Sequence, residues 1–492
     1  MPDDHGPYGK AQRGTLFGDI FGRGTALGDA AWLQAMLDTE AALARALERA
    51  RLAPAGSGAA VTRAAAAANF DLAELGQLAA LTGNPVPGLA RMLTRAVAEA
   101  DGKAASAVHR GATSQDIMDT AAMLLARRAI GATLADLESA AVAASALADA
   151  HRETIMIGRT LLQQAVPVTF GLTAAGWLSG LDSAIRGLIT ARDERLAVQF
   201  GGAAGTLASL GERGPRVAAM LAEELGLENP PLPWHTERLR IIDVAAAMAR
   251  VTAATGKIAR DVTLLAQTEV GEVSEGSGDN SKKQQSAPPG EGSGTTHGAG
   301  AAASSPPAAP RRGGSSAMPH KNNPVASIAI LGCARQVPGL LATLVASAEQ
   351  EHQRAAGAWH AEWQPFTEIL NLASSAAVWT RELLSGLRVD TARMAANLAG
   401  AGGLPLAERV TALLAGTLGG PRAHDLVATA AARAVSSGLP LRDVLLADPE
   451  ITATGVTPEQ IEEALDPAGY LGASGEFVSA ALSAHRSAEK RD

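Results

Sequence analysis

Five stretches of this chain, residues 115–150, 164–197, 237–270, 324–351 and 361–387, are long, rich in alanine and apolar around most of their circumference. That periodicity predicts helices, and a helix apolar nearly all round has to be covered on every side. Five of them cover one another side by side, as an elongated bundle. Composition agrees. Trp 6, Tyr 2 and Phe 7 make aromatics 3% of 492 residues, too few for the pleated faces of an all-β protein, while alanine and leucine are the best helix formers. The expected fold class is all-α. One chain leaves much of that apolar surface wet, so the bundle is expected to associate with copies of itself.

Around the bundle the pattern changes. Residues 29–51 read as a first helix, with Asp29 as N-cap and Leu33, Met36, Leu37, Leu43, Ala44 and Leu47 as one apolar stripe. Shorter helical pieces fill 59–100, broken at NPVPG (84–88). Residues 276–313 are Gly, Ser, Pro and Ala with almost no bulky apolar residue, so they bury too little to offset chain entropy and are expected to be disordered. His297, inside that tract, is expected to be idle. From about 388 the chain returns to short helices, and no internal repeat is evident.

Charge and cysteine count narrow the classes. The net charge is −8, which is not a nucleic-acid surface. A single cysteine, Cys333, excludes an internal disulfide and a cysteine-cluster metal site. No HExxH-like spacing is present, so neither metal nor cofactor is expected. The acidic start, MPDDHGPYGK, has no apolar signal region. No run of about 18 uninterrupted apolar residues occurs, so no membrane span is expected, and the location is read as cytoplasmic.

Four segments could carry chemistry. In GGSSAMPHKNNPV (313–325), Asn323 as N-cap and Pro324 at N1 would start the 324–351 helix. That leaves Ser315, Ser316, Met318 and Lys321 unexplained by capping. In HRGATSQDIMDT (109–120), Thr113 or Ser114 can cap the next long helix, with Asp116 favoured in its first turn. Hydroxyls and free N–H groups at such a terminus also bind carboxylates. IMIGRTLLQQAVPVTFG (155–171) reads as a loop running into a helix. In QEHQRAAGAWHAEW (350–363), Arg354 can clamp a carboxylate or simply cap a helix.

These four segments, in this order, resemble the fumarase/aspartase superfamily. GSSAMPHKNNP is similar to its signature loop and HRGATSQD to its threonine–serine substrate segment. Within it the chain is similar to the bacterial 3-carboxy-cis,cis-muconate cycloisomerases, through DAAWLQAMLDTEAALARA, QFGGAAGTLASLG, AGAWHAEW and LDPAGYLG. The resemblance runs from about residue 15 to residue 480. It implies three units: an N-terminal helical domain (1–112), the long-helix bundle with signature loop and insert (113–387), and a C-terminal helical domain (388–492). It implies a cytoplasmic homotetramer whose active sites are each built from three subunits. It implies lactonisation of a small tricarboxylate through an enolate-like intermediate, in aromatic (protocatechuate) catabolism, with no nucleic-acid or membrane partner.

Residue by residue, the resemblance makes Ser315 the group that moves a proton at carbon. Lys321 and Asn323 hold a substrate carboxylate, with Ser316 and Met318 beside them. Thr113, Ser114 and Gln199 line the site, His109 sits next to them, and Arg354 binds substrate from the fourth segment. Adenylosuccinate lyase and fumarase relatives carry a His–Glu pair where this chain has Leu161 and Ile328. That departure counts against adenylosuccinate or argininosuccinate cleavage and is compatible with lactonisation. Another lyase of the superfamily, such as adenylosuccinate lyase, and a non-catalytic homologue are the alternatives.

Overall fold

The structure, a computed structural model, describes residues 16–276, 313–314, 318 and 321–489. Residues 277–312, which include His297 and most of the tract expected to be disordered, lie outside the described residues, as do Ser315 and Ser316.

The chain opens with α1 (Gly18–Phe21), α2 (Asp29–Arg49), α3 (Ser57–Ala64), α4 (Leu72–Thr82) and α5 (Val86–Ala100). Then come α6 (Ser114–Ala150), a hairpin of β1 (Ile155–Thr160) and β2 (Gln163–Thr169), α7 (Phe170–Glu194), α8 (Gly214–Leu225) and α9 (Leu239–Leu265). β3 (Val273–Glu275) precedes α10 (Val325–Ala346), α11 (Ala358–Gly386) and β4 (Leu387–Val389). Short helices follow, from α12 (Thr391–Gly400) to α18 (Ser474–Glu489). The fold is all-α, with two small two-stranded antiparallel sheets as its only strands among the described residues.

Helices α6, α7, α9, α10 and α11 pack on one another as the expected bundle. Small residues let them approach closely. A Cβ on Gly256 of α9 would stand 3.2 Å from the Ala334 Cβ of α10, tighter than van der Waals comfort, so a larger residue would push these helices apart. α2 lies on α6 with Leu33, Leu37, Leu43 and Leu47 all buried in the same continuous core. A separate apolar cluster joins Val410, Leu414, Leu441, Leu445 and Ile461 in the C-terminal part. The last helix leaves that cluster and returns to the bundle: Val478 and Leu482 join the main core, and His485 Nδ1 meets Asp182 Oδ1 at 2.9 Å.

Two expectations need correction. Asp29 is the first residue of α2 and Gly28 occupies the cap, without a side-chain bond. Residues 164–169 are strand, not the start of the long helix, and the 155–171 segment is a hairpin. Alternation explains this: along β2, Pro167 and Thr169 point inward while Gln164 and Val166 face out. Helices α6 and α10 are long and apolar enough to cross a membrane by length and composition only, as core helices of a bundle also are, and neither is an uninterrupted apolar run. In α10 only 28% of that apolar window is buried.

The hairpin is fixed by charge. Arg159 makes two bonds to the fully buried Glu272 carboxylate, Nη1 to Oε2 at 2.8 Å and Nη2 to Oε1 at 2.7 Å. At its tip Leu161 and Leu162 both take left-handed backbone, φ 51° and 65°. They are 96% and 74% exposed.

Deep in the bundle, Arg238 donates to Asp119 (Nη1 to Oδ2 2.7 Å, Nη2 to Oδ1 3.0 Å) and to Glu362 (Nη2 to Oε2 2.6 Å, Nε to Oε1 3.0 Å). All three side chains are buried. Trp359 Nε1 and Gln115 Nε2 each donate to Asp119 at 3.0 Å, and Gln350 Nε2 to Glu362 at 2.9 Å. Burial raises the Glu362 carboxyl against the pull of Arg238. Arg238→Met leaves two buried carboxylates without their cation, a loss of about 3–5 kcal/mol. Carboxyls whose folded pKa lies above the unfolded value destabilise increasingly as pH rises. Thermal midpoints of the variant should therefore fall well below wild type at pH 8 and less so at pH 5. Neutralising both acids as well (Asp119→Asn, Glu362→Gln) should restore most of the loss; equal midpoints for wild type and the single variant would contradict this account.

Candidate functional site

The turn leading into α6 is strained and tightly packed. His109 has φ 54°, and Gly111 has φ 83° with Leu210 atoms 2.7 Å from where a Cβ would stand, so glycine alone fits there. The turn ends at Thr113, the N-cap of α6. Its side chain caps the third residue while Asp116 returns the bond to the Thr113 N–H at 3.1 Å, a full capping box. Thr113 and Ser114 are half-buried at the positive end of a helix of 37 residues, a place suited to an anion.

Asp116, 1% exposed, is the hub of this region. Besides the Thr113 N–H, its carboxylate accepts from Gln199 Nε2 (3.0 Å), Gly201 N (3.2 Å) and Gly202 N (2.8 Å), with Arg354 Nη2 at 3.7 Å. Burial pushes its carboxyl up to about 6, and those donors oppose the shift.

Gln199 and Arg354 are placed beside the hub but turn inward. Gln199 is fully buried; its amide oxygen accepts from Trp234 N at 2.7 Å and its amide nitrogen is spent on Asp116. Its backbone exchanges two bonds with the Thr120 hydroxyl. Expected as a lining residue, it is fully buried, with both ends of its amide engaged within the protein. Arg354 donates to Gln115 Oε1 (2.7 Å), to the Ala203 carbonyl (3.3 Å) and to the Gly202 carbonyl. Instead of an open carboxylate clamp, it is a strut between the 350–363 segment, the 199–205 loop and α6.

His109 faces the other way. Its backbone N–H and its ring Nδ1 both reach one carboxylate, that of Glu40 on α2, at 2.9 and 2.6 Å. Glu40 is fully buried. Burial works against a proton on His109, but the Glu40 bond and charge, with a smaller pull from Asp116, raise its pKa above the ordinary 6.5.

The signature loop is described in part. Gly313 accepts from the Asn323 N–H at 2.8 Å, Gly314 bridges to Asn322, and the Lys321 N–H reaches the Met318 carbonyl at 3.0 Å. Met318 is 43% exposed and Lys321 is exposed. The expected Asn323 cap is corrected: the cap position is Pro324, and α10 begins at Val325. A carboxylate from before the insert caps it instead. Glu275 accepts from Ala326 N (2.9 Å), Ser327 N (2.9 Å) and the Ser327 hydroxyl (2.7 Å), which neutralises the positive helix end. Both ends of the 277–312 tract thus meet at the start of α10.

Thr113, Gln199 and Arg354 come together around Asp116. Among the described residues no hydrogen bond or ion pair joins that cluster to Lys321 or Asn323. Cavities of about 250 Å³ and 530 Å³ lie beside α2, and none of the expected site residues lines either one. Among the described residues no group of His, Cys, Asp or Glu is disposed to hold a metal ion. Sequence reasoning missed Glu40, Glu275 and Asp116's role as hub. For Glu40 a signal existed: it is an acid placed within the Leu33, Leu37, Ala44, Leu47 stripe, and a charge on a buried face needs a partner.

Comparison with known proteins places this architecture. A family model described as Lyase matches residues 32–282, and one described as Adenylosuccinate lyase C-terminus matches residues 403–481. A 3-carboxy-cis,cis-muconate cycloisomerase of Bradyrhizobium diazoefficiens is 44% identical over 92% of this chain and 94% of its own length. A nitrosuccinate lyase of Streptomyces davaonensis is also 44% identical, over 93% of this chain and 91% of its own. The crystal structure of the 3-carboxy-cis,cis-muconate lactonizing enzyme from Pseudomonas putida superposes with a TM-score of 0.83 at 39% identity, covering 96% of this chain and 99% of that one. With a signature loop at the head of one bundle helix and a capped threonine–serine turn at the head of another, the chain belongs to the fumarase/aspartase superfamily of lyases, among relatives that include the 3-carboxy-cis,cis-muconate cycloisomerases.

Proposed function

We propose that the chain is a cycloisomerase that closes 3-carboxy-cis,cis-muconate to a carboxymuconolactone, a step of protocatechuate breakdown in the β-ketoadipate pathway, in the cytoplasm. One carboxylate of the substrate is the nucleophile: its oxygen bonds to a carbon of the conjugated double bonds, and the neighbouring carbon takes up a proton. The costly species is the carbanion alpha to another carboxylate, a doubly charged enolate. Preorganised donors aimed at such charge are usually the largest catalytic contribution. Lys321, the head of α6 at Thr113 and Ser114, and Asn323 supply them in this reading, with Ser316 and Met318 beside the substrate. Ser315 moves the proton. A serine is a weak acid and base alone, so Lys321, six residues on in the sequence, is part of its role. No step calls for a metal or cofactor.

The observation that carries this reading is the pair Leu161 and Ile328, aliphatic and 96% and 55% exposed, where adenylosuccinate lyase and fumarase relatives carry a His–Glu pair. A second reading is favoured by the equal identity to the nitrosuccinate lyase: elimination of nitrite from a succinate skeleton. Ultraviolet absorbance separates the two. Loss of the diene band of 3-carboxy-cis,cis-muconate without fumarate formation supports the cycloisomerase; nitrite and fumarate from nitrosuccinate, with the muconate untouched, overturns it.

A homotetramer with shared sites belongs to the same proposal. It is supported by the apolar tip at Leu161 and Leu162 and by the α10 face of Ile328, Leu331 and Val345, of which Ile328 and Val345 are exposed. Apolar surface of this kind marks interfaces.

Three outcomes follow for the purified protein. Ser315→Ala and Lys321→Ala should each lower kcat by roughly 100-fold or more while far-ultraviolet dichroism and assembly stay unchanged; near-normal turnover of Ser315→Ala removes it from the mechanism. Val345→Asp should shift sedimentation toward smaller species, with activity falling in parallel. Deleting residues 277–312, which joins Gly276 to Gly313, should leave assembly intact and kcat/KM unchanged or modestly higher, because loop closure depends only logarithmically on length. A large loss of kcat/KM that shrinks at high salt would instead assign the tract to substrate steering.

A further inference from the structure

The charges that could meet a tricarboxylate are fewer than the sequence implies. Arg354 spends its donors on Gln115 and the 202–203 carbonyls, and Arg110, next to His109, turns its guanidinium to the Leu52 carbonyl. His109 is differently placed. It stands four residues before the head of α6, its side chain is 25% exposed, and only its inner edge is engaged.

We infer that Glu40, a residue outside the sequence-predicted site, is a positioning residue that holds His109 as an imidazolium with its Nε2–H directed outward, ready to pair with a substrate carboxylate. The geometry is specific. A carboxylate accepts only, so the 2.6 Å contact makes His109 Nδ1 the donor. The second Glu40 oxygen takes the His109 backbone N–H at 2.9 Å and so holds the left-handed backbone that aims the ring. A fully buried carboxylate is worth more to a cation than an exposed one, because little water screens it. Among the described residues, Asp116 at the head of α6 also acts on His109, and it pulls in the same direction. The raised pKa of His109 agrees with this arrangement.

Glu40→Gln inverts the donor pattern at the same volume. The Gln oxygen can keep the backbone N–H, but its NH2 then faces Nδ1, which favours a neutral ring protonated on Nε2. The charge, not the fold, is what this variant removes. The inference rests on the proposed anionic substrate, and its tests are divided accordingly. Nitrogen-15 spectra of the unliganded wild type, with the His109 signal assigned by its loss in His109→Asn, should show both ring nitrogens protonated at pH 7 and a pKa above 6.5. Glu40→Gln should show the neutral Nε2–H form and a pKa below 6.5; Glu40→Asp should fall between. A wild-type His109 titrating at or below 6.5 overturns the inference with no variant involved.

Propane-1,2,3-tricarboxylate, which cannot lactonise, tests the binding role apart from turnover. It should shift the His109 ring signal in wild type. Its Kd should weaken by roughly tenfold in Glu40→Gln at pH 7.5, and the deficit should shrink as pH falls through the variant's own His109 pKa. With 3-carboxy-cis,cis-muconate the same change belongs in KM, with kcat within about threefold. A deficit independent of pH, or no effect on the His109 signal, assigns Glu40 to structure alone. If the wild type fails to turn over the muconate while the spectra behave as stated, the proposed substrate falls and the Glu40–His109 couple stands. The sign also holds for stability. A raised histidine pKa stabilises below the unfolded value and loses that contribution as pH rises through the folded one. The wild-type advantage in thermal midpoint over Glu40→Gln should therefore be greater at pH 6 than at pH 9.

Discussion

A guanidinium sealed inside the bundle holds the molecule's centre together. Arg238 stands at the head of α9, Asp119 one turn into α6, and Glu362 near the start of α11. Their bonds fix how three long helices meet at one end. Alanine-rich helices need such a device, because small side chains alone permit sliding, whereas a buried carboxylate tolerates only the geometry that satisfies it. The charge count does not close within the trio. Two acids face one Arg238, and Arg354, tied in through Gln115, contributes a second positive charge to Asp119. The core network and the candidate site therefore share residues: Gln115, Asp116 and Asp119 lie within two turns of one helix.

That sharing decides which polar groups remain for a ligand. Gln199 and Arg354 look from their residue types like substrate binders, yet both are consumed in holding Asp116 and the 199–205 loop. The head of α10, another apparent anion site, is filled by Glu275. Among the described residues, what is left on this side is the head of α6 and the outer edge of His109. The signature loop stands at the head of α10, with Lys321 exposed. A site assembled from several copies, as proposed, is in keeping with these residues lining neither of the two cavities beside α2.

The hairpin tip shows a different logic. Two-residue hairpins normally place Asn or Gly where the backbone turns left-handed, whereas here the positions hold Leu161 and Leu162. Leucine there is strained by about 1–2 kcal/mol per residue, and both side chains stand in water. Strain and exposure on the same two residues run against stability of the lone chain, as expected of a surface with work to do elsewhere.

The helical bundle, its five long members and the apolar stripe of α2 were legible in the sequence, because helical periodicity is local and alanine has one preference everywhere. The head of α6 was legible for the same reason: its capping is decided within four residues, and Thr113 caps the helix with Asp116 in its first turn, whereas the cap of α10 comes from Glu275, far back in the chain. Errors gathered where a local rule had two solutions. Residues 164–169 carry apolar side chains that suit a helix or a strand, and pairing with 155–160 selected the strand. Only the tertiary structure could assign partners to buried charges. Glu40 and His109 are 69 residues apart, Glu275 and Ala326 are 51 apart, and Gln115 and Arg354 are 239 apart. No periodicity encodes such pairs. They follow from which helix ends the packing brings together, and from the high cost of leaving any charge there without its counterpart.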